Sequence, residues 1–132
     1  MDEPTKEIIQ RWFIKANNDL QTSKRVIAGD NPILDTACFH AQQCAEKCFK
    51  AYLAAIGVHI EKTHDVKRLI IKCSEYDSEF LTLSSKGDNL TRFAASIRYP
   101  DDWYEITSEE AKEAIKDAEE IMEFTKIKLR MS

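Results

Sequence analysis

Apolar residues recur at helical spacing in several separate stretches of this 132-residue chain. Ile8, Trp12, Ala16 and Leu20 fall four residues apart, with Ile9 and Phe13 beside them, and predict an amphipathic helix over about 5–27. Gly29-Asp30-Asn31-Pro32 follows, the glycine suiting a helix C-cap. The strongest pattern comes next: Leu34, Ala37, Cys38, Ala41, Cys44, Ala45, Cys48, Phe49, Tyr52, Leu53 and Ile56 share one side of a helix over about 33–56, which Gly57 stops.

Thr63 suits the N-cap of a third helix over about 64–73, with Val66, Leu69, Ile70 and Cys73 inward. A short helical piece is expected over 78–83 and a loop over 84–87. A fourth helix is expected over about 88–98, with Leu90, Phe93, Ala94 and Ile97 inward, ended by Pro100. Thr107 and Glu110 form a capping-box pattern ahead of a last helix. Its stripe is Ala111, Ala114, Ile115, Ala118, Ile121, Met122, Thr125 and Leu129, and Phe124 and Ile127 fall off it. No strand-like alternation persists, so the expected fold is all-α, an up-and-down bundle of four to five helices forming one domain over 1–132.

Composition narrows this reading. Hydrophobic residues make up 43% and charged residues 32%, which excludes a disordered chain. A net charge of −4 weighs against indiscriminate adhesion to nucleic acid but permits a local basic groove. The acidic start Met1-Asp2-Glu3-Pro4 lacks the apolar core of a signal peptide, and no stretch reaches the length of a membrane span, so a cytoplasmic location is expected. Three glycines in all leave no phosphate-cradling glycine loop. Cys38, Cys44, Cys48 and Cys73 lack zinc-site spacing and read as buried thiols, so neither metal nor cofactor is expected.

Four segments carry a resemblance to the HEPN family (higher eukaryotes and prokaryotes nucleotide-binding). They are Arg11-Trp12 with Ala16-Asn17-Asn18-Asp19-Leu20, the run His40-Ala41-Gln42-Gln43-Cys44-Ala45-Glu46-Lys47, Thr63-His64-Asp65-Val66, and Leu90-Thr91-Arg92-Phe93 leading to Arg98-Tyr99-Pro100. The resemblance covers nearly the whole chain. It implies a bundle that dimerises around a cleft near the two-fold axis. It also implies a gene beside a minimal nucleotidyltransferase, in a toxin–antitoxin or stress module. Many members are metal-independent RNases that use an arginine followed, after four to six intervening residues, by a histidine. This chain departs from that pattern. The positions at that distance are Trp103, Tyr104 and Glu105 after Arg98, and Ile97, Arg98 and Tyr99 after Arg92, while His40, His59 and His64 all lie upstream. An arginine alone steadies a phosphate but takes no proton from a 2′-hydroxyl, so RNase activity is not expected.

Candidate residues follow from residue type and spacing. Arg98, at a helix end, either favours the helix dipole or grips a phosphate. His40, Gln43, Lys47 and Lys50 share one helix face, either solvated or lining the cleft or dimer contact. Asp101, Asp102 and Glu105 read as a polar loop ahead of a helix. Trp103 and Tyr104 either stack a base or seal the core; the resemblance also makes Tyr104 the sort of residue a partner transferase modifies. The expected nucleotide- or RNA-binding set is Arg98, Arg92, His40, Gln43, Lys47 and Tyr99. Phe39, Phe124 and Ile127 are expected at a homodimer contact. Two other readings stand beside this one. In one the protein is a metal-independent endoribonuclease in which His40 or Tyr99 replaces the missing histidine. In the other it is a structural helical adaptor.

Overall fold

The structure, a computed structural model, describes residues 2–94 and 105–131. Among them are five α-helices and one 3₁₀ segment, and no strand. The helices are α1 (Glu3–Ile27), α2 (Leu34–Ala55), α3 (Val66–Ser74), α4 (Ser84–Thr91) and α5 (Ser108–Lys128), with the 3₁₀ segment Ser78–Leu83 running straight into α4. The all-α bundle expected from the periodicity is thus observed.

Local chemistry sets the helix ends. Asp2 accepts the Thr5 amide at 2.8 Å to open α1, with Pro4 in the first turn, where no amide donor is needed. α2 closes on Gly57 at φ 73°, a left-handed position that suits glycine. There the Val58 and Gly57 amides donate back to the Leu53 and Ala54 carbonyls, at 3.0 and 3.2 Å. The capping box of α5 forms as the sequence indicated. Thr107 Oγ1 accepts the Glu110 amide at 3.1 Å, and Glu110 accepts the Thr107 amide at 3.0 Å.

Three expectations need correcting. Asp65, not Thr63, caps α3, accepting the Lys67 and Arg68 amides at 3.0 and 3.3 Å. Thr63 instead accepts the Asp65 amide at 3.1 Å, so the helix begins two residues later than the spacing suggested. The segment 84–87 is helix rather than loop, and the fourth helix ends at Thr91 with Arg92 as its cap. Gly87 misled there. It is buried on the inner face of α4, where a Cβ would stand 2.5 Å from Ile70 Cδ1, so the glycine admits a close approach to α3 rather than a turn. On α1 the buried stripe runs through Ile9, Phe13, Ala16, Leu20 and Ser23, while Ile8 is exposed.

α2 is the axis of the bundle, packed along α1 and α5 and touching α3 and α4. α1 and α2 run antiparallel: Ser23 Oγ donates to the Ala37 carbonyl at 2.8 Å, and Asp19 meets His40 one turn further along. Phe80 of the 3₁₀ segment fills the far end, its ring 6.1 Å from Phe49, 4.4 Å from Tyr52 and 5.1 Å from Phe124. All four cysteines are buried, and none is in a disulfide among the described residues. Burial pushes the Cys73 thiol up to about 12, and a hydrogen bond with Cys48, together with burial, raises Cys44 well above its ordinary value. These are inert core thiols.

Candidate functional site on the polar edge of the central helix

α2 presents its apolar side to α1 and α5. Its remaining edge is polar, and two carboxylates organise it. Asp19 reaches across from α1 and is itself buried. One of its oxygens lies 2.7 Å from His40 Nδ1, and the other accepts from Lys47 Nζ. Glu46, buried on α2, repeats the arrangement: one oxygen takes Lys50 Nζ at 2.9 Å and the other lies 2.8 Å from His64 Nδ1. A chain of two amides lies on the same helix, with Gln43 Nε2 donating to Gln42 Oε1 and Gln42 Nε2 donating to the His64 carbonyl, both at 2.7 Å.

A carboxylate on Nδ1 holds an imidazole in one orientation and fixes which nitrogen faces a ligand. His40 and Lys47 keep part of their side chains in solvent, so they can contact a ligand while anchored from behind. Phe39 is half-buried beside them, its ring edge-on to His40 at 5.3 Å. Among the described residues no cluster of histidine, cysteine and carboxylate side chains is arranged to hold a metal ion.

The structure therefore brings together His40, Gln43 and Lys47. Arg92 is engaged with the last helix, 3.1 Å from Glu110 and 4.8 Å above the Phe93 ring. Arg98 and Tyr99, and with them Ile97, Pro100, Asp101, Asp102, Trp103 and Tyr104, lie outside the described residues. Of the residues assigned to a dimer contact, Ile127 is exposed. Phe124, although off the stripe, is partly buried against Phe80, with Lys128 Nζ 5.5 Å from its ring. Lys50 belongs to the buried pair with Glu46 and not to a solvated face.

Sequence reasoning passed over Asp19, Gln42, Glu46 and His64 as site residues. The signal was present: Asp19 stands in register with the buried positions Ala16, Leu20 and Ser23, and Gln42, Glu46 and Lys50 follow one another at four-residue spacing on a helix whose other buried positions are apolar.

The fold and this edge define an all-helical bundle built around one long helix carrying paired carboxylate–histidine–lysine contacts. The HEPN domain family matches residues 9–128, and the chain belongs to that family. It is 34% identical to Putative toxin MJ1304 of Methanocaldococcus jannaschii, over 88% of this chain and 85% of that protein. Among solved structures it resembles that of TT1696 from Thermus thermophilus, with a TM-score of 0.78 and 27% identity over 91% of this chain and 97% of the other. It also resembles ST0689, an archaeal HEPN homologue, with a TM-score of 0.72 and 26% identity over 91% and 96%. No helix among the described residues is long and apolar enough to cross a membrane.

Proposed function

We propose that this chain is a nucleotide- or RNA-binding HEPN module of a toxin–antitoxin-type system, acting as a homodimer beside a minimal nucleotidyltransferase and not cutting RNA itself. One observation carries the reading. The partly exposed groups of the α2 edge, His40 and Lys47, are both anchored on Asp19, while no histidine follows Arg92 or Arg98 at the spacing the family's RNases use. An edge with a fixed imidazole and a fixed ammonium suits contact with phosphate and sugar oxygens. Kinship with the Methanocaldococcus protein supports the toxin–antitoxin setting.

The test is incubation of the purified protein with total cellular RNA in EDTA, beside Arg98→Ala and His40→Ala variants. The wild type is expected to leave the RNA intact while retarding a labelled single strand in a gel, and His40→Ala to weaken that retardation. Light scattering is expected to give twice the chain mass. Co-expression with a minimal nucleotidyltransferase encoded beside the gene is expected to yield a complex.

A second reading has its own observation. Asp19 behind His40 is the arrangement that orients a histidine for proton transfer, so His40 could serve as the base of a metal-independent endoribonuclease. RNA cleavage in EDTA that disappears in both variants would establish this reading and remove the first.

A further inference from the structure

The two carboxylate units differ in one respect. His40 and Lys47 are both largely covered, but in the second unit His64 is 68% exposed while the Glu46 carboxylate beneath it is only 4% exposed. Holding the loop ahead of α3 does not require that ring. Gln42 already fixes the His64 carbonyl, and Asp65 already caps the helix. Nor does Glu46 need the ring to offset its charge, because Lys50 supplies an ammonium at 2.9 Å. The second oxygen of a buried carboxylate is thus devoted to orienting an exposed imidazole. With Nδ1 turned to Glu46, Nε2 is the nitrogen left for a ligand, and in the neutral ring it is a hydrogen-bond acceptor. The hydrogen bond from Gln42 to the His64 carbonyl and the contact of the ring with Glu46 both hold His64 against α2, the helix that carries His40 and Lys47.

We infer that His64 is a ligand-contacting residue of the α2 site, its Nε2 accepting a ribose 2′-hydroxyl of an RNA strand lying along this edge. Lys47, at the rim, donates to a neighbouring phosphodiester oxygen. The inference rests on the RNA-binding reading above and deepens it. A 2′-hydroxyl contact makes the site select ribose over deoxyribose, which phosphate contacts alone do not.

The test compares a short single-stranded RNA with DNA of the same sequence by fluorescence anisotropy, for the wild type and for His64→Gln. That variant keeps a side-chain donor for Glu46 while removing the ring. Wild type is expected to favour RNA by about tenfold, the worth of a well-made hydrogen bond, and the variant to lose that preference with its DNA affinity unchanged. NMR on the unmodified protein gives a readout independent of folding. RNA is expected to shift the ring signals of His40 and His64 and to leave those of His59 in place. Equal affinity for RNA and DNA in the wild type, a ratio unchanged in the variant, or a still His64 signal overturns the inference and leaves the binding reading standing. A wild type that binds neither strand overturns both.

Discussion

The two sides of α2 are almost equally buried, yet they are buried by different physics. Ala37, Cys38, Ala41, Cys44, Ala45 and Cys48 face α1 and α5 without any exposed surface. Their small size lets the neighbouring helices close in, and the side is held by area and fit. On the polar edge Gln42, Glu46 and Lys50 are nearly as hidden, but each is buried only because a named partner compensates it. The apolar side should fail in proportion to the volume removed. The polar edge should fail when one partner is lost and tolerate the loss of both, because an orphaned buried charge costs more than a missing pair.

The largest expected effect lies on the apolar side. Phe49→Ala, removing a fully buried ring packed on Phe80, should lower unfolding stability by about 4 kcal/mol in a urea titration. Glu46→Ala should cost about 3 kcal/mol by stranding Lys50, whereas Glu46→Met with Lys50→Met should return to near wild-type stability. A double variant as weak as the single one would break the contrast between the two sides. Thr107→Ala, which removes one half of an exposed capping box, should cost about 1 kcal/mol and serves as the scale for a lone hydrogen bond.

The smallest effect sharpens the comparison. Asp117 on α5 is a buried carboxyl whose nearest partner is an amide, Asn89 at 3.4 Å, rather than an ammonium held as Glu46 holds Lys50. Burial raises its pKa. The Asn89 hydrogen bond and Lys86 pull it down, and Glu113 and Glu120 push it up. The folded state thus favours the protonated form, so Asp117 contributes most below about pH 4 and loses that contribution as pH rises through the raised value. Asp117→Asn should therefore raise the melting midpoint near neutral pH, with the gain fading as the pH approaches about 4.

Much of this was legible in the residues. The second helix, its stop at Gly57, the capping box at Thr107 and Glu110, and the family likeness all lie in local spacing or short motifs, because helix periodicity and capping are decided within a few residues. Gly87 shows where that logic fails. A glycine needed for a turn and a glycine needed for close packing are the same letter, and only the approach of Ile70 from α3 tells them apart. The start of α3 shows it again, since Thr63 and Asp65 are both good caps and the observed geometry chose the second.

The candidate site divides along the same line. The sequence by itself determined that His40, Gln43 and Lys47 share a face, since that needs only about 3.6 residues per turn. It did not determine that Lys50, in the same row, turns inward to Glu46. Nor did it determine that Asp19, more than twenty residues upstream of Lys47, anchors His40 and Lys47, or that His64 comes down onto Glu46 from a loop. Those are contacts between elements far apart in the chain, and a side chain's partner across a helix interface is fixed by how the helices pack, which no local pattern encodes. The sequence supplied the helices and one half of each contact; the tertiary structure decided which halves meet.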